Sequence, residues 1–313
     1  MKILILGAGA TGGYFGGRLV AAGADVTFLV RAPRAAQLAA KGLVVKSCYG
    51  DLAIAVNTVL AGALTPGYDV VIITPKAYDL EPAIAAVAPA VGPDTALLPF
   101  LNGVRHIDVL KSRFGTQHVL GGVAHIAATL STDGEILHLN PLHALTFGEL
   151  DGRRSARGEK LAAIMARASF NSRLSDNISL ELWEKFVFLT TLAGMTCLMR
   201  ASVGTIMQAR DGETLMLAML DECSRVAAAS GFAPCEKALA EYRRLLTEKG
   251  SSFTASMLRD VERGGPTEGE HILGDMLRRA EEHGIATPLL HVALCHLQTY
   301  EAGRCAHLKT QRG

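Results

Sequence analysis

Lys185 and Glu268 are residue types that move protons, and their surroundings favour that use. Lys185 stands in Leu-Trp-Glu-Lys-Phe-Val-Phe-Leu, at the start of the most hydrophobic helical stretch. Leu182, Phe188 and Leu189 flank it at helical spacing. An ammonium in apolar surroundings loses stabilisation of its charge, so its pKa falls toward the range that suits proton transfer. The other reading is a surface pair with Glu181, in the favourable Glu-before-Lys order. Glu268 follows Gly264-Gly265-Pro266-Thr267. Thr267 is a capping residue by type, which puts Glu268 in the first turn of a helix. Ser256 opens the short helical run just before that turn.

A second group of residues is suited to phosphate. Gly7, Gly9 and Gly12 fit G-x-G-x-x-G in Gly-Ala-Gly-Ala-Thr-Gly, with Ala8, Ala10 and Thr11 between them. The first glycine allows a tight turn, the second lets a pyrophosphate reach the backbone, and the third lets helix and strand pack closely. The N–H groups at the start of the next helix favour phosphate charge. Arg31, with Arg34 one turn on, ends the second apolar strand, where an NAD site would place an acid. Arginine matches a 2′-phosphate in charge and in forked donors, which points to NADPH/NADP+. Lys76 and Asn102 each follow a later apolar strand, where they can meet cofactor or substrate. A solvated loop lysine and an Asn-Gly turn are the plain alternatives.

The elements that must hold these groups are readable from periodicity. Strands are expected at Ile3–Leu6, Val26–Val30, Asp69–Thr74, Ala96–Leu101 and within Val119–Leu130. Shorter ones are expected at Glu135–His138 and Ala144–Phe147, around turns at Asp133-Gly134 and Asn140-Pro141. A basic amphipathic helix is expected over Gly152–Ala168. Near Leu174–Asn177 the pattern changes, and only helical periodicity follows: Leu180–Met199, Asp211–Ala229, Glu236–Lys249, Gly269–His283 and Leu289–Ala302. The expected fold is α/β: a Rossmann-type dinucleotide domain over residues 1–174 and an all-helical substrate domain over 175–313.

Bulk composition sets limits. The 313 residues are 49% hydrophobic and 19% charged, with a net charge of +1. That gives no electrostatic case for nucleic acid or an anionic membrane. The N-terminus meets glycines too soon for a signal peptide, and the uncharged run Phe186–Met199 falls short of a bilayer span. Six scattered cysteines without C-x-x-C spacing read as reduced cytosolic thiols, mostly core fillers, and imply a cytoplasmic protein. His291 and Cys295 stand at helical spacing with nothing to complete a metal set, so no metal is expected. The apolar helices pack either within one chain or across a homodimer.

Together these blocks resemble the ketopantoate reductase (2-dehydropantoate 2-reductase) family along essentially the whole chain. The matching blocks are the glycine turn with Arg31; Lys76; Leu-Asn-Gly at 101–103; Gly-Gly-Val-Ala-His at 121–125; Asp-Gly-Glu-Ile-Leu-His at 133–138; Leu-Trp-Glu-Lys at 182–185; Ser-Met-Leu-Arg-Asp-Val at 256–261; and Pro-Thr-Glu at 266–268. The resemblance implies NADPH-dependent reduction of a 2-oxo acid to a D-2-hydroxy acid, ketopantoate to pantoate in pantothenate biosynthesis. In it Lys185 is the general acid, Glu268 supports the lysine or substrate, and Ser256 bonds the substrate. Asn102 and Lys76 hold cofactor and substrate. The chain departs from the family four and eight residues after the lysine: Leu189 and Ala193 stand where the family commonly carries asparagines. Those positions share a helix face, so a wall that would bond a substrate hydroxyl becomes apolar. A paralogue for a less polar 2-oxo acid is therefore an alternative. Others are an opine-type or glycerol-phosphate-type dehydrogenase on a similar plan, and a non-catalytic NADP(H) sensor.

Overall fold

The computed structural model describes residues 1–310, the backbone alone beyond residue 306. Its first half alternates strands and helices: β1 (Lys2–Leu6), α1 (Ala10–Ala21), β2 (Asp25–Leu29), α2 (Ala32–Lys41), β3 (Leu43–Lys46), β4 (Leu52–Ile54), β5 (Asn57–Val59), β6 (Val70–Ile73), α3 (Leu80–Val87), β7 (Ala96–Pro99), α4 (Arg105–Phe114), β8 (Leu120–Leu130), β9 (Ile136–Glu149), α5 (Ala156–Met165) and β10 (Asn171–Leu174). Helices follow: α6 (Ile178–Met199), α7 (Val203–Ile206), α8 (Gly212–Ala229), α9 (Glu236–Leu246), α10 (Ser256–Glu262), α11 (Asp275–Glu282) and α12 (Pro288–Thr310), with a π turn over Glu270–Gly274. Among the described residues no strand follows Leu174. The chain clusters into two units: residues 1–101 with 106–179, and residues 102–105 with 180–313.

In the first unit, five parallel strands form a sheet in the order β5-β2-β1-β6-β7. Val70 to Ile73 and Ala96 to Leu98 are buried throughout. Such runs suit strands covered on both faces. The order reverses direction at β1, the arrangement that opens a ligand crevice at the carboxyl ends of the strands. A second sheet, β10-β9-β3-β4 with β8 on β9, is mixed. Helix α1 is packed closely by both. A Cβ on Gly16 would lie 2.6 Å from Ile5 and Phe28 of the parallel sheet, and one on Gly13 would lie 2.3 Å from Ile136 of β9.

Several sequence expectations need revising here. The two short strands expected at 135–138 and 144–147 are one strand, β9. Its pairing with β8 jumps from His138 to His143 opposite Ala128 and Ile126, so residues 139–142 bulge out. The strands β3, β4, β5 and β10 had no clear period and were not expected; all four are only three or four residues long, too short for alternation to register. Four of the six cysteines (Cys48, Cys235, Cys295 and Cys305) are exposed, and only Cys197 and Cys223 fill the core.

The second unit is helical. Its core includes Phe186, Met195, Met216, Met219, Cys223, Leu273, Met276 and Leu290. Helix α12 packs on α8 and on the π turn. Its first N–H groups are met by Glu222, whose carboxylate accepts from Leu289 and Leu290, both at 3.0 Å. Helix α6 is long and apolar enough to cross a membrane by length and composition, but most of it is buried inside the protein, as a core helix is.

Candidate active site

The parallel register brings one group of predicted residues to a single sheet edge. Leu6 lies opposite Leu29 on one side and Ile73 on the other. The residues that follow each strand, Gly7, Val30-Arg31 and Thr74-Pro75-Lys76, therefore leave the sheet together. Gly7 has φ +90°, a conformation open to glycine. A Cβ on Gly12 would lie 2.5 Å from the Gly7 carbonyl and 2.5 Å from Thr74 Oγ1, so helix and turn meet where only glycine fits. A Cβ on Gly9 would meet nothing within 4 Å, which leaves open space beside the turn. Helix α1 has no side-chain cap and no acid in its first turn. The N–H groups of Ala10, Thr11 and Gly12 thus remain for an outside acceptor. These features fit a dinucleotide pyrophosphate.

The two arginines divide their work. Arg34 donates through Nε and Nη2 to the Ala8 carbonyl at 3.1 and 2.8 Å, and through Nη1 to the Gly134 carbonyl at 2.9 Å. Its donors are spent on bracing the glycine turn. Arg31 precedes α2 and is exposed, and its guanidinium makes no hydrogen bond or ion pair among the described residues. Lys76 is half-buried where a short 3-10 turn begins.

The second unit holds the other group. Lys185 lies on α6 one helical turn from Leu182, Phe188 and Leu189, with Trp183 two residues before it. The Trp183 ring stacks on Phe232 at 5.3 Å, and the Arg279 guanidinium covers it at 5.1 Å. Arg279 is in turn held by the buried Asp275 at 3.0 Å. Phe188 packs on Tyr242 and Phe253, with ring centroids 4.9 and 6.1 Å apart. These rings pack the first turns of α6. Burial pulls the Lys185 ammonium down to about 8, and the carboxylate of Glu268 pulls the other way.

Glu268 is buried at 6% exposure, one residue before the helical turn rather than inside it. Its carbonyl accepts the Ile272 N–H at 3.0 Å, while Thr267 Oγ1 accepts from Gly269. Asn102 is half-buried in a loop that belongs to this helical unit. Leu189 and Ala193 continue the lysine's helix face, half-buried and buried. Ser256 is exposed at the first position of α10. Sequence reasoning missed the bracing role of Arg34 and the buried His271. A helical period carries no mark of a π turn, and a lone histidine no mark of its partners.

Residues 3–152 match the family described as "Ketopantoate reductase PanE/ApbA", and residues 177–301 match its C-terminal counterpart. The uncharacterized oxidoreductase YkpB of Bacillus subtilis is 38% identical over 96% of this chain and 99% of its own. A 2-dehydropantoate 2-reductase of Archaeoglobus fulgidus is 29% identical over 96% of this chain and 98% of its own. Among solved structures, a PanE/ApbA family ketopantoate reductase of Ralstonia eutropha superposes with a TM-score of 0.88 at 27% identity, covering 97% of this chain and 99% of that one. A D-mandelate dehydrogenase bound to NADH and anilino(oxo)acetate shares the fold, with a TM-score of 0.86 at 23% identity over 97% of this chain and 99% of that one. The chain belongs to the ketopantoate reductase family, NADPH-dependent oxidoreductases that act on CH–OH donors and reduce 2-oxo acids.

Proposed function

We propose that this protein reduces 2-dehydropantoate to pantoate, giving the D-2-hydroxy acid, with Lys185 as the general acid. The observation that carries this reading is a half-buried lysine whose pKa is drawn to about 8 by desolvation, with the carboxylate of Glu268 as an opposing charge. NADPH, when bound, supplies the hydride that arrives at C2 of the 2-oxo acid. Charge then builds on the carbonyl oxygen, and an ammonium in a dry site both stabilises that charge and gives up its proton to it. Lys185 donates from Nζ and becomes neutral, which its surroundings favour. Glu268 keeps the lysine protonated beforehand. Arg31 meets the 2′-phosphate, the turn at Gly7, Ala8, Gly9, Ala10, Thr11 and Gly12 takes the pyrophosphate, and Lys76, Asn102 and Ser256 hold cofactor and substrate.

A second reading has its own support. Leu189 and Ala193 give the lysine's helix face a wall without amides. A site built to bond a substrate hydroxyl rejects an analogue lacking it by about 10⁴ or more, and an apolar wall does not. Substrate choice then falls to a less polar 2-oxo acid. One matched pair tests both readings: 2-dehydropantoate and 3,3-dimethyl-2-oxobutanoate, which differ by that hydroxyl. NADPH oxidation is followed for each, with an aryl 2-oxo acid alongside. Preference for 2-dehydropantoate supports the first reading, and preference for the dimethyl or aryl acid supports the second. Absence of turnover with all three, despite tight NADPH binding, overturns both and favours a sensor.

A further inference from the structure

We propose that His271 is a positioning residue: it ties the Asn102–Arg105 loop to the turn that carries Glu268, so that loop and carboxylate are held as one piece. The proposal rests on the functional reading above for its consequence in catalysis, and on geometry for the tie itself.

Four observations carry it. The backbone of Asn102 lies beside the imidazole as a polar group that favours its protonated form. Gly103 lies directly on the ring: a Cβ there would be 3.2 Å from His271 Cδ2 and 3.4 Å from the His271 carbonyl. Gly103 has φ +81°, so the loop takes a conformation that side chains resist in order to reach this contact. His271 also sits in the π turn Glu270–Gly274, three residues after Glu268. Such turns are rare and often mark functional sites, because one extra residue per turn redirects the side chains beside it.

Charges around the ring explain why a histidine is tolerated there. Glu268, Asp275 and Arg105 face it, and His271 is buried at 8% exposure. Burial, the largest influence, holds the imidazole below its ordinary value despite the two carboxylates. At neutral pH it is therefore uncharged. It contacts the loop without competing with Lys185 for the charge of Glu268.

The test compares His271→Leu, which fills the space without a donor, with His271→Asn and His271→Gln, which keep an amide N–H near one or other ring nitrogen. Hydrogen–deuterium exchange of the peptide spanning residues 102–105 reads the tie without any turnover. The leucine variant is expected to exchange there about two- to tenfold faster, the worth of one net hydrogen bond. One of the two amide variants is expected to restore protection. In steady state, the leucine variant is expected to raise KM for the 2-oxo acid about tenfold with a smaller change in kcat. A residue that serves stability alone lowers the melting temperature but leaves KM of the folded fraction unchanged. Wild-type exchange at residues 102–105 in a folded His271→Leu protein overturns the proposal, as does failure of both amides to restore protection. If the wild-type protein reduces no 2-oxo acid, the functional reading falls, and the exchange measurement still decides the tie.

Discussion

Replacing Glu268 by Gln tests the Lys185–Glu268 pair most directly, because it removes a charge while keeping the shape. Lys185 is drawn from an ordinary 10.5 to about 8, chiefly by burial, with Glu268 opposing. That displacement corresponds to about 3 kcal/mol of lost stabilisation of the ammonium. With a pKa of about 8, roughly nine lysines in ten carry the proton at pH 7. An opposite charge within reach typically moves a pKa by about 1–3. Without it, Lys185 should titrate between about 5 and 7, and the protonated share at pH 7 should fall to half or less. Since the acid must hold its proton, kcat/KM for reduction should decline as pH rises through this value. The assay is the pH profile of kcat/KM from pH 5.5 to 10. The wild-type declining limb is expected near 8, and that of Glu268→Gln about 1–3 pH lower. In Lys185→Ala the limb should vanish, with kcat reduced by about 10² or more. A limb that stays in place in Glu268→Gln, or wild-type kcat in Lys185→Ala, refutes the reasoning. The same displacement affects stability. The unfolded chain holds the lysine proton more tightly than the folded one, so this group makes the fold more stable as pH rises from about 8 toward 10.5.

Other outcomes follow from features outside that pair. Arg31→Ala should raise KM for NADPH by about tenfold or more while leaving NADH nearly unchanged, because only the 2′-phosphate loses its partner; equal effects on both cofactors count against the assignment. Leu189→Asn should shift kcat/KM toward 2-dehydropantoate over 3,3-dimethyl-2-oxobutanoate by about tenfold, the scale of one net hydrogen bond, in the matched-pair assay. Glu149 is buried, with Arg157 donating at 2.7 and 2.6 Å and Ser155 at 2.6 Å. Burial pushes its carboxyl up, but these donors together hold it below its ordinary value. Arg157→Ala should therefore cost about 3 kcal/mol in urea unfolding at pH 7, and less as pH falls through the carboxylate range and the group protonates.

The legible parts of the chain were those where local chemistry and tertiary role agree. The glycine turn was readable because Gly7 and Gly12 are demanded by backbone geometry that no other residue meets. The strands at 70–73 and 96–99 were readable because burial on both faces leaves an unbroken apolar run. The helix around Lys185 was readable because an uncharged, largely apolar run extends from Phe186 to Met199, the end of α6. The edge strands β4 and β5, one in each sheet, were not, since they are three-residue strands that exist only through their partners. The split between the two arginines was also hidden. Arg31 and Arg34 look alike in sequence, and only the Ala8 carbonyl distinguishes them. His271 shows the same limit, since its partners lie some 170 positions away in the chain.

The Asn102–Arg105 loop bears on how such a protein can be cut apart or recombined. The chain enters the helical unit at residue 102, leaves it after four residues, and returns only at residue 180. A fragment starting at residue 180 would thus lack a piece of its own unit and bare the His271 ring that Gly103 covers. Swapping C-terminal halves between relatives at a single junction would likewise pair one protein's loop with another's imidazole. A working chimaera needs two junctions, and the four-residue insert must travel with the helices.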